Sequence, residues 1–267
     1  MLPVNYHTKL TCRHNAGFFS CCTIALIEVI KYFNKHRELP AEFDRSTQFA
    51  FYKPDPAGPD LTPLLFAKND LQIPYTGEIV VTNEPGEVSF GDYGKFHFNE
   101  IALFVEKYFS PSPTVLGIMR NMKLKYELDY ENTCAVFYRG NDKQMECDVT
   151  PYADFIDTAK EVLDGNQGIK FLLLPDETQM YETFTKAFPD NTICMDETPH
   201  MQKKNSAIFY ELRGESKVEH ATNFLAAVMT VSRCKYVIQS KGNGAMWVAL
   251  YRDGVDGVHT FNNKHKV

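Results

Sequence analysis

Residues 139 to 146 read Arg-Gly-Asn-Asp-Lys-Gln-Met-Glu, which places Arg139, Asp142, Lys143 and Glu146 directly behind the apolar run Cys134 to Tyr138. These residue types suit a diphosphate. A planar guanidinium can grip two phosphate oxygens, and an ammonium on a flexible stem adds a mobile point charge. Gly140 would let backbone approach a ligand, and Glu146 is a candidate base. A second string, Lys241-Gly242-Asn243-Gly244, precedes the helical stretch AMWVALYR. Its backbone N–H groups and the positive end of the following helix could form the other half of an anion cradle, with Lys241 adding charge, although Gly-Asn-Gly is also ordinary turn chemistry. Asp176 and Glu177 close an apolar strand, as ligands for a ribose or nucleobase or as helix caps. His200 follows the next strand, to contact substrate or a loop carbonyl.

Chemistry placed at strand ends needs a sheet whose strands all point one way. The chain alternates accordingly. After the strand at 134–138 come a helix at 151–163, a strand at 169–174, a helix at 178–188, a strand at 191–195, a helix at 221–232 and a strand at 235–239. That alternation predicts an α/β fold with a doubly wound parallel sheet, in which ligands bind beyond the carboxyl ends of the strands. Upstream, LTCRHNAGFFSCCTIALIEVIKYF predicts a strand, a loop around Asn15 to Gly17 and a helix capped by Ser20, with His14 and Asn15 at its mouth as sugar or phosphate contacts. The proline-rich stretch 53–95 predicts loops with short strands such as Glu78 to Thr82, and helices are expected at 99–109 and 114–126.

Composition narrows the function classes. The 267 residues carry a formal net charge of -6, with 44% hydrophobic and 23% charged residues, which is an ordinary globular mixture. No basic block marks a nucleic-acid binder, and no apolar run predicts a membrane span or signal peptide. The expectation is a soluble, cytoplasmic protein. The seven cysteines, with no C-x-x-C pair or zinc-type spacing, read as reduced packing residues, so no metal is assigned. The chain lacks G-x-x-x-x-G-K-[ST] and a G-x-G-x-x-G after a first strand, which argues against a kinase and a dinucleotide dehydrogenase.

The string FYRGNDK, followed by Glu146 and Pro151, resembles the H-x-R-R-x-D-K motif of the α-1,6-fucosyltransferases and related nucleotide-sugar transferases. The match departs at the motif's histidine, here Phe137, and at its second arginine, here Gly140. The whole chain also resembles glycosyltransferase-like proteins of large algal (chlorella) viruses, which share strings similar to NAGFFSCC, FYRGNDK and GNGAMW; some of those proteins decorate capsid glycans.

The resemblance implies two Rossmann-like domains facing a cleft (the GT-B type), divided as residues 1–125 on the acceptor side and 126–267 on the nucleotide-sugar side. It implies Arg139, Asp142, Lys143 and Asp176 on the donor side, where Glu177, Lys241, Gly242, Asn243, Gly244 and His200 join them from their places at the strand ends. His14, Asn15, Gly17 and Phe18 fall on the acceptor side, and Glu146 and Arg139 are the catalytic pair. Counting along the motif puts Lys235 where the fucosyltransferases read guanine with an aspartate. Lys235 and Phe137 together favour a uridine donor, hence sugar transfer, leaning to xylose from UDP-xylose, onto a glycan hydroxyl without metal or other cofactor. In a viral setting the compartment would be the host cytoplasm. The alternatives are a GDP-fucose-dependent fucosyltransferase and a nucleotide-sugar-binding protein without turnover.

Overall fold

The computed structural model describes residues 9–79, 97–203 and 205–262, together with the backbone at 264–265. The N-terminal half contains strand β1 (Lys9–Thr11), helix α1 (Phe18–His36), strand β2 (Glu42–Asp44) and helices α2 (Thr62–Leu65), α3 (Phe98–Phe109) and α4 (Pro113–Lys125). It continues into β3 (Thr133–Tyr138), β4 (Cys147–Asp148), α5 (Tyr152–Gly165), β5 (Lys170–Pro175), α6 (Thr178–Ala187) and β6 (Thr192–Cys194). The chain then forms α7 (Ser216–Val231), β7 (Tyr236–Ser240), α8 (Asn243–Arg252), β8 (Val258–Phe261) and β9 (Lys264–His265).

Five strands form one sheet in the order β6-β5-β3-β7-β8, all parallel. Every residue of β3 is buried because both faces of the sheet are covered, which is why TCAVFY reads as a continuous apolar run rather than an alternating one. Cys134, Val136 and Tyr138 point to the α5 side with Phe155, Phe171 and Phe184. Ala135 and Phe137 point the other way, into a larger core that also contains α1, α3, α4, α7 and α8. The chain leaves β3 for β5 and β6 on one side, then crosses to β7 on the other. The strand order therefore reverses between β3 and β7, and a crevice opens there at the carboxyl ends.

The expected parallel sheet lies wholly within residues 126–267. The first Rossmann-like sheet expected from residues 1–125 is represented among the described residues by the parallel pair β1–β2, and the apolar core runs unbroken from α1 through α8. Trp247 on α8 donates to the Thr23 hydroxyl on α1 at 3.0 Å, so the first helix is built into the same packing as the last. The chain's last described residues return to pair β9 with β4, next to the 139–146 loop. The expected strand at Glu78 to Thr82 has no strand at Glu78 or Ile79, and its last three residues lie outside the described ones. No described helix is long and apolar enough to cross a membrane.

Candidate functional site

The crevice is a cleft of about 660 Å³ at the carboxyl ends of β3, β5 and β7. The N-termini of two helices reach it: Gly17 to Ser20 from α1 and Gly242 to Ala245 from α8. Arg139, Asp142, Lys143, Glu146, Asp176 and Lys241 also line it. Two positive helix ends and three cationic side chains thus lie on one concave surface, beside the carboxylates of Asp142, Glu146 and Asp176.

Arg139 is the centre of the charged network. Its Nε donates to Asp176 Oδ2 at 3.1 Å and its Nη2 to Asp142 Oδ1 at 2.8 Å. Burial by itself would lower the Arg139 pKa, but Asp142 and Asp176 outweigh it and hold the guanidinium charged. Asp176 is only 5% exposed and also accepts from the Gly140 amide at 2.9 Å and the Asn141 amide at 3.3 Å. Burial pushes its carboxyl up to about 6, against the pull of Arg139 and of the Gly140 amide, so it is ionised at neutral pH. Burial also pushes Asp142 upward, but Arg139 and Lys143 bring it below the ordinary carboxylate value. Asp176 therefore shapes the loop that presents Arg139. On the rim, Lys143 Nζ and Glu146 Oε2 form a 2.5 Å ion pair, with the Glu146 side chain 54% exposed.

The two glycines read as points of ligand approach have other neighbours. A Cβ at Gly140 would lie 2.4 Å from the Tyr138 ring, and one at Gly244 would lie 2.9 Å from Phe137 Cζ. Gly140 is glycine because the buried Tyr138 ring folds back over it, and an arginine in its place would displace that ring. Gly242 is unobstructed and caps α8. The Asn243 carbonyl Oδ1 accepts from the Thr23 hydroxyl at 3.0 Å, so this side chain ties α8 to α1.

Several expected site residues are held elsewhere. Glu177 is fully buried behind the strand end, accepts from the Tyr152 hydroxyl and does not line the cleft. Asp176 and Glu177 are successive residues and point to opposite sides, so only one of the two can face the site. His200 lies outside the cleft, with its Nδ1 3.0 Å from the Thr178 hydroxyl. His14 also lies outside, its Nε2 2.9 Å from the Ser20 hydroxyl. Ser20 is thus inside the first turn, and Gly17 is the helix cap. Asn15 lines the cleft, but its amide fastens the loop by donating to Thr47 O and accepting from Ala50 N, both at 2.9 Å. Phe18 is buried in an aromatic cluster, and its amide donates to the Tyr52 hydroxyl at 2.8 Å. Phe137 lines the cleft, whereas Lys235 is exposed at the amino end of β7, with its Nζ over the Tyr236 ring. That end of the strand is opposite the cleft, so the contribution of Lys235 to a uracil-reading site is withdrawn.

Sequence reading missed His220 and an aromatic wall. His220, on α7, is 8% exposed and lines the cleft between the near-parallel rings of Tyr52 and Phe224, with Nδ1 buried and unbonded. Burial, reinforced by the charge of Arg139, lowers its pKa to about 4, so it is a neutral imidazole at pH 7. Phe51 and Phe209 stack at 5.1 Å and 8°, and Tyr210 stands beside them. The acidic pair Asp196 and Glu197, by contrast, is engaged with Lys125 and Tyr126 at the end of α4. Among the described residues, no cluster of three or more His, Cys, Asp or Glu side chains is placed to hold a metal ion.

This architecture has solved counterparts. The chain superposes on the fucosyltransferase NodZ from Bradyrhizobium with a TM-score of 0.56 at 10% identity, over 87% of this chain and 88% of that one. The NodZ α-1,6-fucosyltransferase co-crystallised with GDP gives 0.53 at 11% identity, over 86% and 87%. The chain shares the fold of these two structures. A third structure, NodZ soaked with GDP-fucose, matches at a TM-score of 0.43 and 12% identity, where this chain spans only 48% of that one. No family model and no curated protein matches the sequence.

Proposed function

We propose that this protein transfers a sugar from a nucleoside-diphosphate sugar to a hydroxyl of a glycan acceptor. The observation that carries the reading is the convergence, at the point where the strand order reverses, of the N-termini of α1 and α8 with Arg139, Lys143 and Lys241. The negative charge that grows on the departing diphosphate would be met there by N–H donors already fixed in place. Arg139 contributes a guanidinium oriented by two carboxylates. Glu146 would take the proton from the acceptor hydroxyl, whose oxygen attacks the anomeric carbon as the bond to the diphosphate breaks. A single displacement of this kind inverts the anomeric centre.

With Lys235 at the far end of its strand, the case for a uracil base reduces to Phe137, a residue without hydrogen-bonding groups. GDP-fucose becomes the first donor to test, because the fold is shared with a fucosyltransferase co-crystallised with GDP. UDP-xylose, a cytoplasmic setting and the likeness to algal-virus enzymes rest on the sequence alone. The competing reading is a nucleotide-sugar-binding protein without turnover, favoured by the Tyr138 ring filling the space of the second motif arginine. Incubation with GDP-fucose, and separately UDP-xylose, with mixed oligosaccharide acceptors decides between them. Acceptor-dependent release of nucleoside diphosphate supports transfer, and tight binding with no release supports the competitor.

A further inference from the structure

One wall of the cleft is aromatic and has no role in holding an anion. Phe51 and Phe209 lie parallel, and Tyr210 packs against Phe209 at 4.5 Å and Phe51 at 6.1 Å. Tyr210 is 56% exposed, and Met145, immediately before Glu146 in the chain, is 66% exposed. Both line the same cleft. Large apolar side chains left this open to water at the mouth of a pocket mark a surface that awaits a partner.

The cationic side chains and the aromatic wall come from different elements. Arg139, Lys143 and Lys241 come from the ends of β3 and β7, whereas the aromatic side is built by the turns at 50–52 and 208–210. An uncharged, flat-faced and partly solvated ligand suits rings of this kind at the mouth of the cleft. A pyranose ring meets that description: one face of axial C–H bonds packs on an aromatic ring while its hydroxyls point to water. A nucleobase would find a more enclosed place deeper in the cleft, beside Tyr52, His220 and Phe224, which are 3%, 8% and 8% exposed.

We propose that Phe51, Phe209 and Tyr210, with Met145 of the same cleft, form the subsite that receives a neutral pyranose of the acceptor and leads its hydroxyl toward Glu146. This rests on the glycosyl-transfer reading of the cleft and names the part of it that selects the acceptor. A rigid ring shelf discriminates by the shape of the sugar face, so pyranosides with an unbroken C–H face are expected to dock and those with an axial hydroxyl on that face to be disfavoured.

The test uses the full chain and a panel of methyl pyranosides of gluco, galacto, manno and xylo configuration, followed by saturation-transfer NMR, with GDP and UDP titrated into the same samples. At least one pyranoside should receive saturation on the protons of one ring face. Its affinity should fall at least ~10-fold in Tyr210→Ala and stay within about twofold in Tyr210→Phe, with nucleotide affinity unchanged in both. Met145→Ser, at an exposed position, is the second probe and should weaken the same pyranoside if the Tyr210 variant fails to fold. Absence of signal from every pyranoside overturns the proposal, as does a signal that survives both truncations. Loss of nucleotide binding in Tyr210→Ala would assign the shelf to the base and also overturns it. If neither GDP nor UDP binds the wild-type chain while pyranosides do, the donor reading fails and the carbohydrate shelf stands.

Discussion

Replacing Asp176 by alanine should damage the fold and the anion site together. In the structure its carboxylate accepts from Arg139 Nε and from the amides of Gly140 and Asn141, with 5% of the residue exposed. Removing one partner of a buried ion pair typically costs about 3 to 5 kcal/mol, because the other charge is stranded. Here Arg139 keeps Asp142, and about a third of its side chain reaches water, which moves the estimate to the low end. The two orphaned amides would add about 1 to 3 kcal/mol each if they were fully cut off, but contributions within one network do not sum. We therefore expect about 3 kcal/mol in total from urea unfolding, with Asp176→Asn intermediate because it retains an acceptor for Gly140. Nucleotide affinity should fall in parallel, since Arg139 would no longer be held in place. An Asp176→Ala protein as stable as wild type, with only weakened nucleotide binding, would show that Asp176 is a ligand contact and that its scaffolding role is wrong.

Gly140→Ala should destabilise by about 1 to 3 kcal/mol through overpacking against Tyr138, and by clearly less in a Tyr138→Leu background; equal costs in both backgrounds would remove the steric account. His220 has a folded pKa of about 4, lowered by burial, against an ordinary 6.5. The unfolded chain thus binds the extra proton first, and this stability is fully present above pH 6.5 and is lost as pH falls toward 4, by up to about 3 kcal/mol. Asp176, whose carboxyl is raised to about 6, works oppositely, favouring the fold as pH falls from about 6 to 4; it is common to both proteins, so His220→Phe should flatten the acid slope relative to wild type in paired urea titrations. Glu146→Gln should keep donor affinity and lower transfer by ~100-fold to 10,000-fold in a product assay, and near-normal turnover would move the base elsewhere.

The alternation of apolar runs and helical periods from residue 133 onward was sufficient to place β3, β5, β6 and β7 and the helices between them to within a few residues, because a sheet covered on both faces writes itself as continuous apolar strands. The direction of those strands also located the rim where Arg139, Asp142, Lys143, Asp176 and Lys241 meet. The same rule should have placed Lys235 at the wrong end, since it precedes its strand. Strand-end polarity did not reveal which side each residue faces, and Glu177 and His200 turned away to bond Tyr152 and Thr178. Gly140 and Gly244 accommodate rings from Tyr138 and Phe137, a tertiary contact invisible to local sequence. Phe51, Tyr52, Phe209 and Tyr210 lie in short turns without periodicity, so only folding brings them into one cleft with His220. The N-terminal segments carry too little strand pattern to specify their packing, and their shared core with α8 emerges from tertiary burial.

Calorimetric titration of GDP and UDP into the wild-type chain and into Arg139→Ala is the most direct test of the claim that the cleft holds a nucleoside diphosphate. At least one nucleotide should bind the wild type saturably, and Arg139→Ala, still folded, should bind it ~10-fold to 100-fold more weakly through the loss of a charge-assisted contact worth about 1.5 to 3 kcal/mol. Equal affinity of the folded variant and the wild type, or no binding of either nucleotide to the wild-type chain, would contradict it.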